Sequence, residues 1–354
     1  MEKKKVMVGM SGGVDSSAAA LLLLEQGYEV AGLTFELWDG SDGTCGTKRD
    51  VQDASDVCAQ LGIPHYVVDF RQQFRETVMR KFVHGYCSGI TPNPCVECNR
   101  TIKFSAFLDK ALELGYDLIA TGHYARVERD PDTGRYRLMM AEDAKKDQSY
   151  VLYSLTQRQL SHMVLPLYGY KKEELRERAR QHGLKVHAKA ESQDICFIPD
   201  GNFCGFIEKA VGHPAPEGNF VDTQGNVIGT HSGIWHYTIG QRKGLGTGFG
   251  QKMFVCGIDA ASNEVMLTSG EGLFRSELTA QDVNLIELEA LDGPVAVEAK
   301  IRYAAKPAPA VLFPLEDGRV KVQFEQPQRA ITPGQAVVFY RGNCVFGGGT
   351  IASF

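Results

Sequence analysis

The chain has no apolar run longer than residues 18–24, far short of the roughly 20 apolar residues a helix needs to cross a bilayer. It has no surplus of positive charge. Its 38 Lys and Arg stand against 43 Asp and Glu, a formal net charge of −5. Bulk attraction to nucleic acid is excluded, so any nucleic-acid binding must come from local basic patches. A secretory leader is missing too: after Lys3, Lys4 and Lys5 come Ser11, Gly12, Gly13 and Asp15, where an apolar stretch should stand. Nine cysteines, an odd number spread over 354 residues, do not make a disulfide framework. Internal repeats and low-complexity tracts are absent. These exclusions predict a folded protein of the reducing cytoplasm, with no membrane association. At 354 residues the chain is too long for one core, and two or three domains are expected.

What is present has order. Strand-like segments at 6–10, 29–35, 65–70 and 117–121 alternate with helix-like segments at 14–26, 51–61, 74–86 and 102–114. Such alternation predicts an α/β domain, a doubly wound parallel sheet covered on both faces, with ligands at the carboxyl ends of its strands. The texture changes near residue 200. Ten glycines fall between Gly212 and Gly250, and helical periodicity disappears. Segments 254–258 and 264–268 predict a hairpin. From about 275 the pattern is alternating, with Val295, Val297, Ala299 and Ile301 on one face and Glu298, Lys300 and Arg302 on the other. A small closed β-barrel follows from such strands and their Asp317-Gly318 and Pro333-Gly334 turns. The expected division is 1–200, 201–272 and 273–354: an α/β domain, a small Gly-rich mostly β domain and a barrel.

The strongest motif is Gly9-Met10-Ser11-Gly12-Gly13-Val14-Asp15-Ser16-Ser17, between a strand and a helix. Glycines let the backbone turn tightly and point several N–H groups at one spot, where the helix N-terminus adds positive potential. Ser11, Ser16 and Ser17 can add hydroxyl donors. The loop lacks the Lys-Ser/Thr ending of a Walker A motif and the Gly-x-Gly-x-x-Gly of a dinucleotide fingerprint. A carboxylate beside phosphate is repelled, so Asp15 makes sense if a divalent cation, Mg²⁺, bridges the two. The bland alternative is a turn with a capping Asp.

Cys95 and Cys98 lie in Thr91-Pro92-Asn93-Pro94-Cys95-Val96-Glu97-Cys98-Asn99-Arg100. A helix N-terminus and Arg100 nearby predict lowered thiol pKa values. Cys196 lies in Glu191-Ser192-Gln193-Asp194-Ile195-Cys196-Phe197. Three readings stand side by side: redox or sulfur transfer between Cys98 and Cys196, a metal or iron–sulfur site on Cys95, Cys98 and Cys196, or an accidental C-x-x-C with a core cysteine. Cys45, Cys58, Cys87, Cys204, Cys256 and Cys344 have no companion motif and read as buried or incidental.

The glycine loop resembles the SGGxDS loop of the ATP pyrophosphatases, the PP-loop superfamily, whose members cleave ATP between the α- and β-phosphates to adenylate a substrate oxygen. Segments 9–17, 91–104, 121–125, 146–150, 192–198 and 236–245, in this order, resemble the bacterial tRNA-specific 2-thiouridylases along essentially the whole chain. The resemblance implies that ATP is held by Gly9, Met10, Ser11, Gly12, Gly13, Val14, Asp15 and Ser16, by the strand end at Phe35, and by Gly122. It implies that a wobble uridine of certain tRNAs is flipped into the site and adenylated at its C2 oxygen. Cys196 matches the persulfide carrier and Cys98 the partner thiol, with Asp15 completing the catalytic set. Asn93, Pro94 and Cys95 match the segment meeting the target base. His123, Lys146, Asp147, Gln148, Arg302, Tyr303 and Gln335 match tRNA-contacting positions. A cysteine desulfurase or sulfur-relay protein is the implied sulfur donor. Many members carry Asp where this chain has Cys95. That departure, a soft ligand replacing an acid–base group, raises the weight of a [4Fe–4S] cluster on Cys95, Cys98 and Cys196.

Competing readings remain at this stage: a PP-loop ligase acting on a small molecule, a catalytically dead RNA-binding protein, and a thiol oxidoreductase. Lys171, Lys172, Arg176, Arg178 and Arg180 share a helix with Glu173, Glu174 and Glu177, a mixture expected to be a solvated face. Gln241, Arg242 and Lys243 are candidates for RNA phosphate. Trp235, His236 and Tyr237 either stack on RNA or fill a small core.

Overall fold

The computed structural model describes residues 3–38, 47–189, 195–246 and 248–354. Its contacts divide into two compact units. The first comprises residues 1–78, 95–201 and 343–345, and the second residues 79–94, 202–342 and 346–354.

The first unit is built on five strands: β1 (Lys5–Gly9), β2 (Glu29–Glu36), β3 (His65–Asp69), β4 (Leu118–Ala120) and, with a β5–β6 hairpin (Ala125–Arg129, Tyr136–Met140) intervening, β7 (Met163–Val164). The sheet order is β3-β2-β1-β4-β7, and every pairing within it is parallel. The alternation of the sequence explains this, because parallel neighbours need crossovers and the crossovers are helices. Helices α1 (Val14–Glu25) and α2 (Lys48–Leu61) join a core with Val6 and Val8, as does the later helix described below as α4. Met7 lies between those valines and is also fully buried, facing the opposite side by the period of two. On that side stands α3 (Phe107–Glu113), whose Phe107 packs edge-on against Phe35 at 5.1 Å. α4 (Lys172–Gln181) follows β7 in the first unit.

Two elements differ from expectation. The helix placed at 102–114 begins earlier, at Pro94, and runs as Pro94–Cys98, a π-helical Asn99–Ala106, and then α3. Proline is favoured at the first helical position because its missing N–H would be unsatisfied there. The β5–β6 hairpin was not anticipated. Its turn is held by Asp130, which accepts from the Asp132 amide, and by Gly134 at φ +71°.

In the second unit α5 (Phe203–Val211) precedes β8 (Gly218–Val221), β9 (Val227–His231), β10 (Phe254–Asp259) and β11 (Glu264–Thr268), in sheet order β10-β11-β8-β9. The β10–β11 hairpin falls where expected. Trp235 and Tyr237 are buried and fill this domain's core. The barrel strands are β12 (Phe274–Leu285), β13 (Val295–Lys300), β14 (Ala308–Pro314), β15 (Val320–Arg329), β16 (Ala336–Arg341) and β17 (Cys344–Ser353). They run in order β12-β15-β14-β13-β16-β17, and β17 pairs back to β12 to close the barrel. Leu278, Val297, Leu312, Val322 and Phe339 fill its interior. Among the described residues no helix is long and apolar enough to cross a membrane.

Candidate functional site

β1 ends at Gly9 and α1 starts at Val14, so the glycine motif forms the turn at the carboxyl edge of the sheet's central strand. Gly12 takes φ +66°, a conformation that glycine adopts without strain. Gly13 occupies the N-cap and supplies no side-chain hydrogen bond, so among the described residues no N-cap side chain occupies the first-turn amides of α1. An uncapped helix N-terminus behind a glycine turn suits an anion. Ser16 and Ser17 are engaged within the loop. Both hydroxyls donate to the Gly13 carbonyl, at 3.2 and 2.9 Å, and Ser16 also accepts from the Ser11 amide. These serines shape the loop.

Gly122, at the end of β4, is required by close approach. A Cβ there would lie 2.7 Å from the Asp15 carbonyl carbon and 2.8 Å from the Ser16 nitrogen. Phe35 is buried, its ring packed on Phe70 and Phe107. Its ring supports the core under Gly9.

Asp15 is held by residues from distant parts of the chain. Its Oδ1 accepts from Tyr124 Oη at 2.7 Å and from Lys172 Nζ at 2.5 Å. Lys172 is 7% exposed and Asp15 34%. Lys172 therefore does not belong to the solvated face expected of its helix. It points inward from α4 and pairs with a residue that sequence spacing could not connect to it. Tyr124 links this carboxylate to the next motif: its amide donates to Gln148 Oε1 and its carbonyl accepts from the Gln148 amide. Asp147 is buried and its carboxylate is engaged locally. Oδ1 accepts from the Ala141 and Ser149 amides and Oδ2 from the Ser149 hydroxyl. It builds the turn that presents half-buried Lys146 and Gln148.

Cys95 sits in the first turn of the helix that starts at Pro94, and Cys98 follows one turn on. Cys95 is exposed and Cys98 buried. The Arg100 guanidinium, expected to act on these thiols, is paired with Glu97 at 2.6 Å. Enough protein surrounds the exposed Cys95 thiol for desolvation to push its pKa up, with the positive charge of Lys103 pulling the other way. Lys103 also acts on His123, whose pKa is lowered to about 3, chiefly by burial and secondarily by this charge. His123 Nδ1 shares a hydrogen bond with Thr121 Oγ1 at 2.8 Å, and its ring lies 5.4 Å from that of Phe104. Sequence reasoning missed Lys103; its place one turn beyond Cys98–Asn99 was the available signal. Asn99, buried, donates to the Val151 carbonyl at 3.0 Å and so ties the cysteine helix to the turn carrying Gln148.

Cys196 is half-buried, and the next residue, Phe197, packs edge-on against Phe74 at 5.7 Å. Glu191 to Asp194 of its motif lie outside the described residues, as does Cys45. The expected metal set is not assembled. Among the described residues no three His, Cys, Asp or Glu side chains are grouped to hold a metal ion. Cys95 and Cys98 differ in exposure, and Cys196 forms no such group with them here. Cys58, by contrast, is inert as expected, buried with its thiol pushed up to about 12.

Asn93, Pro94, Arg302, Tyr303 and Gln335 belong to the second unit. Arg302 and Tyr303 are exposed, with Lys300 Nζ 5.5 Å from the centre of the Tyr303 ring. Gln335 is engaged within the protein: its Nε2 donates to the Thr91 carbonyl at 2.8 Å, while the Thr91 amide donates to the Pro333 carbonyl at 2.9 Å. Gly334, at φ +88°, leaves 2.9 Å between a notional Cβ and the Thr91 backbone. The 333–335 turn thus grips the chain two residues before Asn93.

Profiles of known families match the chain in three stretches: a tRNA methyl transferase HUP domain over residues 4–200, a tRNA methyl transferase PRC-barrel domain over 205–269, and an aminomethyltransferase beta-barrel domain over 275–351. The tRNA-specific 2-thiouridylase MnmA of Acetivibrio thermocellus is 50% identical over 99% of this chain and 100% of its own length. That of Heliobacterium modesticaldum is 52% identical, over 99% of this chain and 92% of its own. Among solved structures, the U34-tRNA thiolase NcsA from Methanococcus maripaludis, with its [4Fe-4S] cluster, aligns at a TM-score of 0.36 and 21% identity, over 59% of this chain and 68% of that one.

Proposed function

The chain belongs to the tRNA-specific 2-thiouridylase family, and from that premise we propose that it installs sulfur at C2 of a wobble uridine in tRNA by adenylating the C2 oxygen and delivering sulfur from a Cys196 persulfide. The matched profiles carry methyl-transferase names, whereas full-length relatives are thiouridylases; the free thiols of Cys95, Cys98 and Cys196 and the glycine loop support the latter chemistry. The observation that carries the reading is the uncapped start of α1 beside Asp15, in the same compact unit as Cys98 and Cys196.

A uracil C2 oxygen is a poor leaving group. Attack of that oxygen on the α-phosphorus of ATP makes it a phosphate ester, and pyrophosphate departs with the P–O electron pair. The amides of the loop and of the first turn of α1 hold and screen the phosphates. Tyr124 and Lys172 both donate to Asp15 Oδ1; Oδ2 would take Mg²⁺, which supplies further charge screening when bound with ATP. The terminal sulfur of the Cys196 persulfide attacks C2, and AMP leaves with the C–O pair. The Cys98 thiolate then attacks Cys196 Sγ. The S–S bond breaks toward the base, leaving 2-thiouridine and a Cys98–Cys196 disulfide, which a thiol reductant must reopen. A desulfurase or relay protein supplies the persulfide sulfur. The base must leave its stack to be reached, a smaller cost in a single-stranded loop.

The test is incubation of the full chain with tRNA, MgATP, a persulfide donor and a thiol. 2-Thiouridine should appear with one pyrophosphate per sulfur. Pyrophosphate release driven by a small carboxylate, with no sulfur in tRNA, would overturn the reading in favour of a ligase.

A further inference from the structure

The chain that leads into β10 holds three cations between residues 242 and 253, Arg242, Lys243 and Lys252, and no acidic residue. In a protein of net charge −5 this is a local excess of positive charge. The two limbs of this stretch are joined at the base. The Gly240 amide donates to the Val255 carbonyl at 2.8 Å, and the Val255 amide donates to the Gln241 carbonyl at 3.0 Å. Gln241, a phosphate candidate by sequence, is committed to this base instead. Its Oε1 accepts from the Thr238 amide at 3.0 Å and its Nε2 donates to the Lys243 carbonyl at 3.1 Å. Each limb has its own anchor: Leu245 is buried, and the Phe249 ring packs edge-on against Phe220 of β8 at 5.8 Å. Arg242 and Lys252, from opposite limbs, line one open hollow of about 710 Å³, and Lys243 adjoins Arg242.

All three cations are exposed. Among the described residues none of them has an ion-pair partner, whereas the exposed Arg180 and Arg319 are paired with Glu177 and Asp317. Neither conformation nor packing requires Gly248. Its φ is not positive, and among the described residues nothing beyond its chain neighbours comes within 4 Å of a notional Cβ. A bare backbone there suits a ligand that approaches closely, and the cations make that ligand an anion. A protein partner would need an apolar centre, yet no large apolar side chain of residues 242–253 is exposed. Phe249, the one ring of the stretch, is turned onto Phe220, so it offers no platform for a base. Phosphate is the remaining polyanion chemistry.

We propose that Arg242, Lys243 and Lys252, with the glycine backbone beside them, dock the sugar–phosphate backbone of tRNA without reading its bases. This rests on the reading that tRNA is the substrate. Cations around one hollow suit neighbouring phosphates, and each contact releases counterions. Phosphate contacts set orientation but carry no sequence information. The site therefore adds affinity common to all tRNAs, and selection of the wobble uridine is made elsewhere in the molecule.

The test is filter binding by the full chain, across a range of salt, of two tRNA transcripts that differ only in having uridine or cytidine at the wobble position. The triple variant Arg242→Ala/Lys243→Ala/Lys252→Ala should bind both transcripts roughly a hundredfold more weakly at about 0.1 M salt, with the slope of log affinity against log salt reduced by about two to three. Lys252→Ala alone should reduce the slope by about one. Lys209→Ala, which removes an exposed cation of the neighbouring helix α5, should leave the slope unchanged. An unaltered slope in the triple variant, an equal loss in Lys209→Ala, or a loss confined to the uridine transcript would each overturn the inference. So would unchanged tRNA affinity together with thiolation lost only when a protein donates the sulfur, since the cations would then meet an acidic protein. Failure of the unaltered chain to bind either transcript would instead overturn the tRNA reading beneath it.

Discussion

Asp15 takes its bonds from Tyr124 and Lys172 on one oxygen, and the proposed Mg²⁺ role falls to the other. Asp15→Asn keeps the shape of the side chain but loses the charge. Pyrophosphate release should fall by roughly a hundredfold or more, as when a phosphate-site electrostatic group is removed, while tRNA affinity measured by filter binding stays within twofold or so. Lys172→Met leaves Asp15 without its ammonium partner. Breaking a fully buried pair costs roughly 3–5 kcal/mol; here Asp15 is a third exposed, and about 1–3 kcal/mol is expected from urea unfolding. The double variant should be less destabilised than the sum of the singles. The motif around Asp15 was legible in the sequence because glycines and a strand–helix junction are local signals. Lys172 was not, because its charged helix looks amphipathic from either side, and only the tertiary structure shows which lysine turns inward.

His123 also belongs to this scale. With its pKa lowered to about 3 it is neutral throughout the working range, so it can accept or donate a hydrogen bond but brings no charge. An unfolded histidine takes up a proton below about 6.5, so between that value and about 3 the unfolded state holds more protons. Folding stability should therefore decline as pH falls through that window. His123→Gln should retain more thiolation than His123→Ala and should flatten the stability loss between about pH 6 and 4. An unchanged acid limb would contradict the neutral assignment.

At the scale of elements, the parallel sheet could be read because each strand–helix pair carries its own periodicity. The β5–β6 hairpin escaped that reading although Asp130-Pro131-Asp132-Thr133-Gly134 is a strong turn signal. Its strands, Ala125–Arg129 and Tyr136–Met140, are half-buried and mixed in polarity. The π-helical stretch after Cys98 has no sequence signature, since it reflects how the helix meets its neighbours. Asn99 stands at that point, buried, with Oδ1 lacking a hydrogen-bond partner among the described residues while Nδ2 holds Val151. Asn99→Ala should cost about 1–3 kcal/mol by removing the buried bond, and should slow thiolation more than pyrophosphate release, because it loosens the cysteine helix from the Gln148 turn.

At the scale of the whole molecule, the net charge of −5 makes tRNA binding depend on local cations. Phosphate contacts release counterions, so affinity should fall steeply with salt. Arg302→Ala should weaken binding and reduce the slope of log affinity against log salt by about one contact. Gln335 separates from this group. Its side chain holds Thr91, so Gln335→Ala should lower kcat with little change in tRNA affinity. The expectation of three parts came from composition shifts, whereas the contacts divide into two units; the closure of the barrel was legible in its alternating strands. The grip of the 333–335 turn on Thr91 was not, since nothing local in either segment points to the other.

The central claim, that the C2 oxygen of the target uridine is itself adenylated, is tested most directly with tRNA carrying ¹⁸O at C2 of the wobble uridine. After turnover with MgATP and a persulfide donor, the label should be recovered in the phosphate of AMP, one atom per thiouridine formed. Thiolated tRNA accompanied by unlabelled AMP would contradict the account.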